Sequence, residues 1–186
     1  MRQKVKDLLK ILAIYIIAMF TAIITLKYVP ITDILWKTAL ADFVAMVIVF
    51  IFSLRYKNSS VYDPYWSAAP VIIVIYWLFN SGQTDFYYKI IWGLIVIWGV
   101  RLTWNWILRW DGMEDEDWRY VNIKKKTGKF YWITSFFGIH LLPTALVFMG
   151  LVPVFYMFNS TASSPTSWFA VLAVLFILGS IYLEKI

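Results

Sequence analysis

Six apolar runs, parted by charged or turn-forming stretches, constrain this chain more than any other feature. They fall at about 11–26, 34–54, 66–82, 86–110, 130–158 and 168–183. A helix rises ~1.5 Å per residue, so about twenty residues cross the ~30 Å of hydrocarbon in a bilayer. No run alternates with period two, which argues against a transmembrane barrel. Composition agrees: 61% hydrophobic and 20% aromatic residues exclude a soluble domain. The expected fold is all-α, a single polytopic transmembrane bundle spanning residues 1–186, with residues 111–129 as one cytoplasmic polar loop. The first run follows a basic stretch as in a signal peptide, but it lacks a small-residue cleavage site and reads as a retained span.

Charge sets the expected orientation. Of 17 Lys and Arg residues, Arg101 lies inside a span, three (Lys27, Lys37, Lys89) flank one membrane side, and the other thirteen flank the opposite side. The positive-inside rule then places both termini, the 55–65 connector and the 111–129 loop in the cytoplasm. The net charge of +6 sits at segment ends, where it meets lipid headgroups rather than nucleic acid. Absence of cysteine removes thiolate chemistry and disulfides, and one histidine leaves little scope for a transition-metal centre, although carboxylates could bind a harder cation.

The stretch WGVRLTWNWILRW carries Arg101, Asn105 and Arg109 at i, i+4 and i+8, one stripe of a helix. If Arg109 marks the surface, Arg101 lies roughly 12 Å deeper, where an ionisable group needs a protein or ligand partner. A guanidinium suits phosphate or carboxylate, although Arg109 alone fits snorkelling to headgroups equally well. Asp42 is the second charge at mid-membrane depth, either a counter-ion to Arg101 or a neutral acid. His140, about ten residues into the fifth run, is expected at comparable depth, as a hydrogen-bonding core residue or a catalyst. The connector sequence YDPYW is either an interfacial aromatic belt or an acid pair, Asp63 orienting a tyrosine. The acids Glu114–Asp117 read as a solvated face or as a grip on a cation.

NSSVYDPYWSAAP, WGVRLTWNWILRW followed by EDWRY, and KKTGKFYW leading into FFGIHLLPT resemble bacterial membrane proteins of unassigned function grouped with the steroid 5-alpha-reductases. The resemblance covers the chain from about Asn58 onward and implies a helical membrane fold of the bacterial inner membrane with a cytoplasm-facing cavity. It implies one of two cofactors: NADPH, for reduction of double bonds in lipids or isoprenoids, or S-adenosylmethionine, for lipid or isoprenylcysteine methylation. Carried onto this chain, it puts Arg101, Asn105, Glu116, Asp117, Arg119 and Tyr120 on the cofactor side, and Asp63, Tyr65 and Trp66 near the substrate. Two patterns of the family have no counterpart: an early Gln-Glu pair and a late Arg-His-Pro-Asn-Tyr-Phe-Gly stretch. The resemblance therefore implies the amino-terminal part of a longer protein, inactive and without cofactor by itself.

Three functions follow as expectations. The first is an NADPH-dependent reductase acting on an apolar lipid or isoprenoid, with Arg109 joining Arg101 and Asn105 on the cofactor and Asp63, Tyr65 and His140 as candidate acids. Trp66 and Asp42 would face the substrate. The second is a methyltransferase on the same scaffold. The third is a non-catalytic membrane scaffold.

Overall fold

The computed structural model describes residues 2–159 and five further positions, Leu172, Leu175, Leu178, Gly179 and Tyr182. The expected sixth span lies largely outside the described residues. Every regular element among them is helical. α1 (Arg2–Tyr28) and α2 (Ile34–Tyr56) form a hairpin, the most extensively packed pair in the bundle. Asp33 starts α2 as a cap, its carboxylate accepting the Trp36 amide at 3.0 Å. Lys57 ends it at φ 54°, turning its amide back onto the carbonyls of Leu54 and Ser53.

The helical start of α1 precedes the Ile11 read from hydropathy, because its polar turns have work at the bundle's end. Lys4 donates to the Leu108 carbonyl at 3.3 Å. Asp7, held by Lys10 at 2.6 Å, accepts the Met113 amide at 3.3 Å. These bonds bring the start of α1 and the end of α4 (Phe86–Arg109) together.

α3 (Tyr65–Ser81) is closed by Gly82, whose φ of 67° suits a residue without a side chain. Where α3 meets α4, a Cβ on Gly99 would lie 2.5 Å from the Ser67 carbonyl oxygen, so glycine permits the backbones to touch. The 111–129 segment is not all loop: Trp118–Thr127 forms α5, capped by Asp117, whose carboxylate accepts the Arg119 amide at 2.8 Å. α6 (Tyr131–Thr134) runs through a π-helical segment, Ser135–Leu141, into α7 (Leu142–Asn159). Pro143 lacks an N–H and cannot continue an ordinary ladder. One wider turn absorbs it, with the Leu142 amide reaching back five residues to the Phe137 carbonyl.

Four segments are long and apolar enough to cross a membrane: Gln3–Tyr28, Ile34–Tyr56, Phe86–Arg109 and Trp118–Asn159. α3 has 17 residues, a rise of about 26 Å, and is not among these four. Large apolar side chains stand exposed along helix faces, as with Leu12, Ile16, Phe20 and Ile23 on α1. Such stripes face lipid, and this is an integral membrane protein.

Candidate functional site

Past the exposed residues 55–57, the connector does not lie on the surface as an aromatic belt: Tyr62 and Tyr65 are buried. Residues Ser59–Tyr62 form a short 3-10 helix that is entirely buried. Its buried polar groups must then find partners inside the protein; the segment after α4 takes the Asn58 side chain and the Ser59 amide, and the connector meets others itself. Asn58 Nδ2 donates to the carbonyls of Met113 (2.9 Å) and Asp115 (2.8 Å), while Asn58 Oδ1 accepts the Ser60 amide at 2.7 Å. Glu116 accepts the Ser59 amide at 2.9 Å. The Ser59 hydroxyl lies 2.7 Å from the Tyr131 hydroxyl and 2.9 Å from that of Ser135. Because the connector dips into the bundle, α3 starts below the surface, which accounts for its short length.

His140 belongs to this fastening. Its Nδ1 lies 3.0 Å from the Ser135 carbonyl, which can only accept, so a neutral ring carries its proton there. Nε2 is 3.1 Å from the Ser53 hydroxyl, near the end of α2. Asp42 lies eleven positions further along α2, roughly 16 Å away. His140 and Asp42 therefore do not share a depth, because the helix that carries His140 begins at the level of the buried connector.

Two cavities flank the start of α3. The first is an apolar groove of about 100 Å³ between α1, α2 and α3, walled by small residues including Ala18, Ala22, Ala41, Ala45, Ala68 and Ala69. Asp42 and Tyr65 bring polarity to its wall. Their contact is short: Tyr65 Oη lies 2.7 Å from the Asp42 carboxyl and 3.0 Å from its backbone oxygen. The pairing expected between Asp63 and a connector tyrosine, with Tyr65 as its member, is replaced by this one. Nor does Asp42 serve as counter-ion to Arg101. Tyr65 leaves α3 toward α2, while Asp63 precedes the helix and faces the other way.

The second cavity, about 480 Å³, is polar and lies among the connector, the start of α3, the end of α4 and the segment leading into α5. Asp63, Trp66, Trp106, Arg109, Trp110, Asp115, Glu116, Asp117, Trp118 and Arg119 line it, together with Ser60, Ser67 and Leu102. Consecutive residues on α3 thus serve different cavities, Tyr65 the groove and Trp66 the polar pocket. Asp117 holds Arg119 by two bonds of 2.8 Å, which keeps its carboxyl below the usual range. Glu116 is paired with Lys124 at 3.4 Å and with Tyr131 at 3.1 Å. Asp63 accepts from the Tyr120 hydroxyl at 2.6 Å. Burial pushes the Asp63 carboxyl up to about 7, with the charge of Asp117 adding to the rise and the Tyr120 bond opposing it.

Profiles of known families match this architecture at one point. Residues 49–186 match DUF1295, a family of proteins of unknown function that is steroid 5-alpha-reductase-like. The chain belongs to that family. No curated protein and no solved structure matches it. The matched region holds both sides of the polar pocket and Tyr65 of the groove, whereas Asp42 and the α1 wall precede it.

Of the residues singled out from sequence, the polar pocket gathers Asp63, Trp66, Arg109, Glu116, Asp117 and Arg119, with Tyr120 behind Asp63. Asn105 is not in its lining, and its carbonyl accepts from Arg109 Nε at 3.4 Å. Arg101 also stays outside both cavities, and neither Asp42 nor His140 is its partner. Its two terminal nitrogens are buried with no hydrogen-bond partner among the described residues. His140 lines neither cavity. Sequence reading missed Ser59, Ser135 and Tyr131, whose only signal was polarity in or beside apolar runs. It also missed the alanines of the groove, whose i, i+4 spacing at Ala18/Ala22 and Ala41/Ala45 was available.

Proposed function

We propose that this protein is a membrane reductase of conjugated double bonds in an apolar lipid or isoprenoid, using NADPH. The observation that carries the reading is the groove: an almost wholly apolar slot, open between helices, whose wall presents one acid–phenol pair. An alkyl or isoprenoid chain would replace lipid contact along the alanine faces. Its carbonyl would meet Tyr65. The Tyr65 hydroxyl, which donates to the Asp42 carboxyl in the empty groove, would turn its proton to the substrate oxygen. That bond draws electrons from the conjugated β-carbon and stabilises charge on oxygen.

The polar pocket fits a phosphate-bearing cofactor on the residues present. Glu116 and Asp117 are already paired with cations, which lessens their opposition to an anion, and exposed Arg109, whose charge also reaches Asp117, forms no ion pair among the described residues. Trp66, Trp106, Trp110 and Trp118 offer planar faces for stacking. When bound, the reduced nicotinamide supplies the hydride. Trp66 and Tyr65, adjacent on α3, relate this pocket to the groove.

The test is NADPH oxidation with an α,β-unsaturated isoprenoid carbonyl in lipid nanodiscs. Tyr65→Phe and Asp42→Asn should lower turnover by about 10²–10⁴-fold, the span typical of a general acid. A folded protein that neither binds nor oxidises NADPH would sink the reading. A methyltransferase is the second reading, favoured by the acid-rich, tryptophan-lined pocket, which also suits a sulfonium cation. Thermal stabilisation by S-adenosylmethionine and not by NADPH would select it.

A further inference from the structure

The polar pocket presents four carboxylates and two guanidiniums, and one of the carboxylates is neither ion-paired nor exposed. Asp117 is neutralised by Arg119 at 2.8 Å, and Glu116 by Lys124 at 3.4 Å. Asp115 is exposed, its carboxylate accepting the Asp111 amide at 3.2 Å. Arg109 is exposed at the end of α4 and forms no ion pair among the described residues. Asp63 is the remaining acid. Its neighbours within bonding reach are the hydroxyls of Tyr120, at 2.6 Å, and Ser60, both neutral.

The groups that face Asp63 come from every element packed around it. They are Tyr120 and Arg119 from α5, Asp117 from the segment before it, Tyr15 from α1 and Tyr62 from the connector. Arg109 lines the same cavity from α4. Only Asp63 among these changes charge near neutrality, since Asp117 is held ionised by Arg119 and the phenols stay protonated.

We propose that Asp63 is a proton-operated selector on the polar pocket: protonated, it admits a phosphate-bearing ligand to Arg109, and ionised, it rejects one. Tyr120 acts through Asp63 as a positioning residue, since its hydroxyl fixes the carboxyl and favours the ionised form. Binding a phosphate therefore takes up a proton at Asp63, and release of the ligand returns it. The same chemistry is offered by a soluble nucleotide or by the headgroup of an anionic phospholipid. The nucleotide case rests on the reductase reading, whereas the role of Asp63 does not.

The experiment measures affinity by calorimetry in nanodiscs from pH 6 to 9, in buffers of differing ionisation enthalpy. The probes are NADPH with phosphatidylcholine discs, and phosphatidylglycerol incorporated in the discs as the lipid arm. Above pH 7.5 the affinity of whichever phosphate probe binds should fall about tenfold per pH unit, with uptake approaching one proton. Asp63→Asn should remove both the slope and the proton uptake while keeping the affinity found at pH 6. Tyr120→Phe, an independent check should the first variant misfold, should move the onset of the fall about one unit higher. An unchanged slope in Asp63→Asn, a flat profile in the parent protein, or no phosphate binding even at pH 6 overturns the proposal. S-adenosylmethionine run in parallel separates the two readings. Affinity rising with pH in an Asp63-dependent way would keep the selector and remove NADPH as the ligand.

Discussion

At the residue scale, Asp63 and Tyr65 stand two positions apart in sequence, yet each has its partner elsewhere. Asp63 meets Tyr120 and Tyr65 meets Asp42, at 2.6 and 2.7 Å. The sequence showed acids and phenols of the right kind in one short stretch, but pairing depends on where the 3-10 turn ends and α3 begins. That boundary is set by Asn58 and Pro64, whose effect is not visible in spacing. The pH dependence of stability follows from Asp63. Its folded value of about 7 lies above the 3.8 of an exposed carboxyl, so the folded state keeps a proton that the unfolded chain gives up. Stability is then greatest below about 4 on this account and declines as pH climbs to 7. Asp117 has the opposite sign, losing its contribution only as pH falls below the ordinary carboxylate range. Asp63 therefore lowers the thermal midpoint in detergent as pH rises from about 4 to 7. Asp63→Asn should flatten that fall, and an unaltered drop in the variant would contradict the assignment. Ser59→Ala removes a buried hydroxyl shared by Tyr131 and Ser135. Its expected cost is about 1–3 kcal/mol, read as a lowered midpoint of unfolding.

At the scale of elements, the long apolar runs announced α1, α2, α4 and α7, since hydropathy alone suffices for a helix in lipid. Two things stayed hidden. The connector's descent is stabilised by carbonyls and carboxylates more than fifty residues away, and local patterning has no access to them. α5 was hidden by its own polarity, although Asp117 before WRYVNIKKKT is an ordinary N-cap. The α3–α4 seam gives a sharp test. Gly99→Ala would put a methyl 2.5 Å from a backbone oxygen that cannot swing aside. The helices must part, at about 1–3 kcal/mol. Because Ser67 on α3 and Leu102 and Trp106 on α4 line the polar pocket, ligand affinity there should fall along with stability. A variant as stable as the parent would show that the seam is looser than described. Asn58→Ala tests the connector: three hydrogen bonds disappear from a buried site, for about 2–3 kcal/mol.

For the whole molecule, the bonds from Lys4 and Asp7 to Leu108 and Met113, and from Asn58 to Asp115, put the start of α1, the end of α2 and the end of α4 at one end. Charge counting had grouped the same ends, which is why the arrangement was legible; the side of the membrane remains the proposal made from the positive-inside rule. The protein has no cysteine, so single introduced thiols report without background. Met113→Cys and Lys126→Cys should react with an impermeant maleimide only after the cytoplasmic side is opened. Gln83→Cys, between α3 and α4, should react from outside. Reversed labelling would invert the topology.

The buried connector carries a consequence for how the protein is made. When residues 58–63 leave the ribosome, the groups that will meet the Asn58 and Ser59 side chains and the Ser59 amide, at 113–116 and 131–135, have not yet been synthesised. Until then an unpaired polar loop has no reason to enter the membrane, and the start of α3 has no fixed depth. Biogenesis must therefore hold α3 in waiting while α4 and α5 are translated, and the connector sinks only when the later chain arrives to receive it.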